Sequence, residues 1–122
     1  MINFGKAKKR NKYGAIKTTF HGVTYDSKAE AARAKQLSLM KAAGRIRWWH
    51  PKPGTFRLGC PENRYRPDFM VCSMEDQVWC EDVKGIETPK FQRDVKLWEV
   101  YGDMPLRIIS AKNPRIITPK GS

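Results

Sequence analysis

Two apolar, β-like runs on either side of a short polar turn constrain this chain more than any other feature. The first, Arg64-Tyr-Arg-Pro-Asp-Phe-Met-Val-Cys72, reads as a strand that begins at Pro67-Asp68. The second, Val78-Trp-Cys-Glu-Asp-Val-Lys-Gly85, reads as a strand that ends in Asp82-Val83-Lys84 before a glycine. Ser73-Met-Glu-Asp-Gln77 between them has the length and composition of a hairpin loop. A hairpin centred on Glu75 sets Asp68 directly opposite Asp82. Cross-strand partners share a face with Cβ atoms roughly 5 Å apart, and like charges so placed destabilise the pair. A cation between them removes the conflict, and paired carboxylates suit a hard, oxygen-preferring ion such as magnesium.

Strand parity selects among the acids. Asp82 and Lys84 fall on one face, and Glu81 on the other. Lys84 then lies beside the carboxylates, where it can hold a phosphate or orient an attacking water. A third carboxylate comes from the clearest helical segment, Tyr25 to Gly44, which is rich in Ala, Lys, Leu and Met. Gly44 suits its C-terminus, and Ser27 with Glu30 forms a capping box at its start. Glu30 also shares a stripe with Ala34 and Leu37, so it can cap the helix, face the sheet, or do both.

In this order, a helix glutamate (Glu30), Pro67-Asp68 and then Asp82-Val83-Lys84, the chain resembles the PD-(D/E)XK nuclease superfamily. It resembles most the small phage-encoded endonucleases related to Holliday-junction resolvases. The resemblance runs from about Thr19 to Ile109. Its one departure is Asp82 where glutamate is commoner. It implies a restriction-endonuclease-like α/β core, with a mixed sheet of four or five strands flanked by two helices. It implies magnesium-dependent hydrolysis of DNA phosphodiesters, with manganese as a substitute. Glu30, Asp68, Asp82 and Lys84 would be catalytic. Asp68, Asp82, the Val83 carbonyl and Glu30 would hold the metal. The expected substrate is branched DNA. Two alternatives stay open: a flap or duplex nicking nuclease, and a non-catalytic DNA-binding module on the same fold.

Charge points to the same partner independently. Across 122 residues, 24 Lys and Arg against 12 acids leave a formal net charge of +12. Such a surplus on one small domain favours a polyanion. Lys6, Lys8, Lys9, Arg10 and Lys12 make a basic arm over residues 1–14, expected to be flexible and to touch DNA. Arg66 leads into the acidic pair. Lys90, Arg93 and Lys96 line one side of a second helix, a stripe that is either DNA-facing or simply solvated. That helix opens on Thr88-Pro89, runs through Tyr101, and buries Phe91, Val95 and Trp98.

The remaining segments are scaffold. Arg45–Trp49, Thr55–Leu58 and Leu106–Ile109 read as strands, and Ala15–Phe20 and Val23–Tyr25 flank a turn at His21-Gly22. The nuclease domain is expected over 15–110, and residues 111–122 read as a tail. Cys60, Cys72 and Cys80 with His21 and His50 lack zinc-site spacing. An odd cysteine count without a signal peptide leads us to expect a reducing cytoplasm, that of the host if the chain is phage-encoded. No apolar run reaches membrane-spanning length, and no Gly-rich loop suggests a nucleotide cofactor. Because a junction needs two symmetric nicks, a homodimer is expected. Its candidate interface is Trp48 and Trp49 or an exchanged N-terminal segment, although the commoner place for such tryptophans is the monomer's own core.

Overall fold

The computed structural model describes residues 16–121. Two short strands, β1 (Thr18–Phe20) and β2 (Val23–Tyr25), form a hairpin across His21 and Gly22, both with positive φ. Helix α1 (Lys28–Ala42) follows. Ser27 caps it by accepting from the Glu30 N–H at 3.1 Å. Gly44, at φ 73°, closes it in a left-handed turn: the Gly44 N–H reaches the Lys41 carbonyl and the Arg45 N–H reaches that of Met40. Strands β3 (Ile46–Pro51), β4 (Phe56–Arg57), β5 (Arg64–Tyr65), β6 (Phe69–Ser73) and β7 (Val78–Val83) come next. Helix α2 (Pro89–Tyr101) and strands β8 (Leu106–Ile109) and β9 (Arg115–Ile117) complete the chain. Thr88 caps α2 by accepting from the Phe91 N–H at 3.1 Å, and Pro89 at the first turn has no N–H to satisfy.

Five strands make one mixed sheet in the order β3-β6-β7-β8-β9. Only β7 and β8 run parallel, joined by the α2 crossover; the other neighbours are antiparallel. Period-two alternation divides each central strand between two cores. Phe69, Val71 and Trp79 turn toward α1, where they meet Tyr25, Ala31, Ala34, Leu37 and Ile46. Cys80, Leu106, Ile108 and Ile117 turn toward α2 and meet Tyr65, Phe91, Val95 and Trp98. The expected mixed sheet with two flanking helices is therefore present, and the buried stripe Phe91, Val95, Trp98 is as expected.

Three boundaries differ. Residues 111–122 are not merely a tail, because β9 extends the sheet: Leu106 faces Ile117, and the Lys120 N–H reaches the Glu99 carbonyl at 2.7 Å. Three residues are too few to show a period in sequence, so only the partner strand reveals them. The Thr55–Leu58 strand shortens to Phe56–Arg57 and lies outside the main sheet, paired with β5. Strand β3 continues through Pro51 because it is an edge, where a missing N–H costs no ladder bond. Trp48 and Trp49 pair with Cys72 and Val71 in unbroken register, so strand alternation sends them to opposite faces. Trp49 packs on Phe69 with ring centroids 5.9 Å apart, as the monomer-core reading expects, while half-buried Trp48 stacks on His50. The basic arm, with Lys6, Lys8, Lys9, Arg10 and Lys12, lies outside the described residues. Among those described, no helix is long and apolar enough to cross a membrane.

Candidate active site

The β6–β7 register is centred on Glu75, with Phe69 facing Glu81 and Cys72 facing Val78. Its next step sets Asp68 beside Asp82 on the α2 side of the sheet. The Asp68 N–H closes that end by reaching the Glu81 carbonyl at 2.9 Å. Glu30, in the first turn of α1, approaches from the other helix and lines a hollow shared with Asp68. Its backbone N–H completes the Ser27 cap and its carboxylate accepts from the Ser27 hydroxyl at 3.5 Å, while the same side chain borders the hollow beside Asp68. Lys84 Nζ lies 3.4 Å from Asp82 Oδ1 and 4.7 Å from the Phe91 ring centroid. Glu30, Asp68, Asp82 and Lys84 therefore meet at one end of the sheet. Val83, expected through its carbonyl, contributes its N–H, which donates to Asp68 Oδ2 at 2.8 Å.

Parity holds as read from the sequence. Glu81 points to the opposite face, fully buried, where Arg33 binds it through two nitrogens at 2.7 Å each and the Trp79 indole donates at 2.9 Å. That cluster ties α1 to β7. Because Arg33 is one turn beyond Glu30, it also fixes where Glu30 can reach.

Three acids in so small a volume resist ionising together. Burial, followed by repulsion from Glu30, raises the Asp68 pKa from 3.8 to about 6. Burial and then the Asp68 charge push Asp82 well above the usual carboxylate range, against the pull of Lys84. Burial raises Glu30 as well. A carboxyl whose folded pKa is raised favours folding while protonated, and that stability is lost as pH rises through the folded value. For Asp68 the window runs from 3.8 to about 6, equivalent to about 3 kcal/mol. Urea unfolding in chelator should accordingly show wild type losing stability relative to Asp68→Asn between pH 4 and 7. Parallel stability curves for the two proteins would refute the raised value.

A cleft of about 490 Å³ opens over Asp68, Asp82 and Lys84, rimmed by Arg64, Arg66 and Lys90. A second hollow of about 310 Å³ lies on the Glu30 side and brings in Lys52 and Thr55; Asp68 and Arg66 border both. Arg66 is held by Thr55 Oγ1 at 3.0 Å, and Lys90 by buried Asp94 at 2.8 Å. Arg93 is exposed and bonded to Asn63, and Lys96 is exposed on the same helix, but neither lines the cleft. Sequence reasoning missed Tyr65, Asp94 and Lys52. No local signal marks them, since each reaches the site only through tertiary packing.

Whether the acids fit a cation turns on one atom. Asp82 Oδ1 is buried and has no hydrogen-bond partner among the described residues. A buried carboxylate oxygen met by the Lys84 ammonium at 3.4 Å, beside a second aspartate, is an oxygen-donor set of the kind that divalent magnesium uses. Among the described residues, no group of three or more His, Cys, Asp or Glu side chains is arranged to hold a metal ion, so the donor set is the two aspartates.

Fold and site together define a small α/β domain with an acidic cluster beneath a basic-rimmed cleft. The chain belongs to the family described as "Protein of unknown function (DUF1064)", whose model matches residues 10–114. No curated protein and no solved structure matches it.

Proposed function

We propose that this protein is a metal-dependent DNA endonuclease of the PD-(D/E)XK type, acting on branched DNA. The observation that carries the reading is the meeting of Asp68, Asp82 and Lys84 beneath the basic rim, with Glu30 in the adjoining hollow and Asp82 Oδ1 buried without a hydrogen-bond partner among the described residues. Asp68, Asp82, Glu30 and the Val83 carbonyl would hold magnesium or manganese. When bound, the ion supplies charge that stabilises the attacking and leaving oxygens of the phosphodiester. Lys84 would orient the attacking water and offset phosphate charge. Arg64, Arg66 and Lys90 draw the backbone toward carboxylates that would otherwise repel it.

The rim side chains Arg64, Arg66 and Lys90 are cations suited to phosphate, so recognition rests on DNA backbone and shape. A dimer would set two such sites for paired nicks. The deciding experiment incubates four-way junction, flap and linear duplex with the protein and magnesium and resolves the products on a gel. Symmetric junction nicking supports the full reading. Cleavage of flap or duplex alone keeps the chemistry and discards the junction. Binding without cleavage of any substrate leaves a non-catalytic DNA-binding module.

Removing residues 1–12 should weaken binding to all three DNAs alike and flatten the dependence of log K on log salt. Each phosphate that the arm neutralises accounts for about one unit of that slope. Cleavage at saturating substrate should persist, because the proposed catalytic residues all lie elsewhere. Unchanged low-salt affinity after the deletion would show that the arm does not touch DNA.

A further inference from the structure

Tyr65 ends the two-residue strand β5 and is buried, its ring set 5.7 Å from Trp98 and 6.5 Å from Phe91 between centroids. Its hydroxyl donates to Asp82 Oδ2. The other oxygen, Oδ1, has no hydrogen-bond partner among the described residues and faces Lys84. Asp68 is held in the same way, by the Val83 N–H on its own Oδ2.

We infer that Tyr65 is a positioning residue, whose hydroxyl holds Asp82 by Oδ2 so that Oδ1 is the oxygen presented to a divalent cation and to Lys84. An aspartate carboxylate rotates readily about its last bond. A fixed donor on one oxygen removes that freedom before the ion arrives, and outer hydrogen bonds of this kind typically change metal affinity by about 10- to 100-fold. A phenol suits the role because it stays neutral and protonated: burial and the neighbouring Asp82 push its pKa upward. It therefore donates without competing for the cation's place, as a lysine would.

The inference rests on the nuclease reading of the site, and the test separates the two. Magnesium alone is titrated into the full chain by calorimetry and by thermal shift, with Tyr65→Phe, Asp82→Asn and Trp98→Phe beside wild type. Tyr65→Phe keeps the ring and its packing. It should raise the half-saturating magnesium concentration about tenfold, with cleavage recovering toward wild type as magnesium is increased. Trp98→Phe loosens the same packing without touching the hydroxyl, so it should lower the melting temperature and leave the magnesium midpoint in place. Loss of magnesium binding in Asp82→Asn together with a wild-type midpoint in Tyr65→Phe overturns the role of Tyr65 and leaves the site standing. An equal midpoint shift in Trp98→Phe also overturns it, reducing the hydroxyl to packing. Wild-type magnesium binding by Asp82→Asn removes the metal site itself.

Discussion

Asp68→Asn, Asp82→Asn and Lys84→Ala should each reduce magnesium-dependent DNA cleavage by on the order of a thousandfold or more, while DNA binding stays within a few-fold. The size follows from the several kcal/mol of transition-state charge stabilisation that a metal site supplies, with each ~1.4 kcal/mol worth about a factor of ten. Binding is spared because the basic rim of Arg64, Arg66 and Lys90 is untouched and each Asn variant carries one fewer negative charge toward phosphate. The folds should survive, since Asn at 82 can still accept from Tyr65 and Asn at 68 can still accept from the Val83 N–H. Glu30→Gln separates two roles of one residue: the backbone cap to Ser27 remains, while the third carboxylate is lost. Full cleavage by Asp82→Asn together with an inactive Glu81→Gln would overturn the choice of acid.

Arg33→Met should destabilise the protein by about 3–5 kcal/mol, the usual cost of leaving one partner of a buried ion pair uncompensated. Glu81 is fully buried and its two oxygens are bound by Arg33 and Trp79 alone among the described residues, so removing the guanidinium strands a carboxylate in the α1-side core. The double variant Arg33→Met, Glu81→Gln should regain much of the loss, because the remaining amide can accept from Trp79 without carrying charge. Chemical denaturation of the four proteins in this cycle measures the coupling directly. Additive losses would show that the pair contributes nothing as a pair. Since α1 carries Glu30, the single variant should also weaken cleavage even where it is still folded, a loss that Glu81's own position away from the cleft does not predict.

What could be read in advance depended on local rules. The hairpin register followed from two apolar runs and a five-residue turn, since a slip of one residue would send Phe69, Val71 and Trp79 out of the core. Parity then separated Asp82 from Glu81, and caps marked both helices at Ser27, Gly44 and Thr88. Strand β9 was illegible because three residues carry no period, and its register exists only against β8. Thr55–Leu58 was legible as a strand, but its shortening to β4 and its pairing with the two-residue β5 were not, for the same reason.

The sequence by itself determined which acids and which lysine share a face, because side-chain direction in a strand is a property of the backbone. It also determined the cationic surplus and the two capped helices. Only the tertiary structure decided what surrounds those acids. Tyr65 beneath Asp82, Asp94 beneath Lys90, Arg33 across from Glu81 and Glu30 over Asp68 bring together side chains that no single local rule connects. Burial is a property of the assembled layers, and burial is what raises the carboxyl pKa values and leaves Asp82 Oδ1 without a hydrogen-bond partner among the described residues. Local rules choose the chemical groups; the packing of α1 and α2 on opposite faces of one sheet sets their electrostatics.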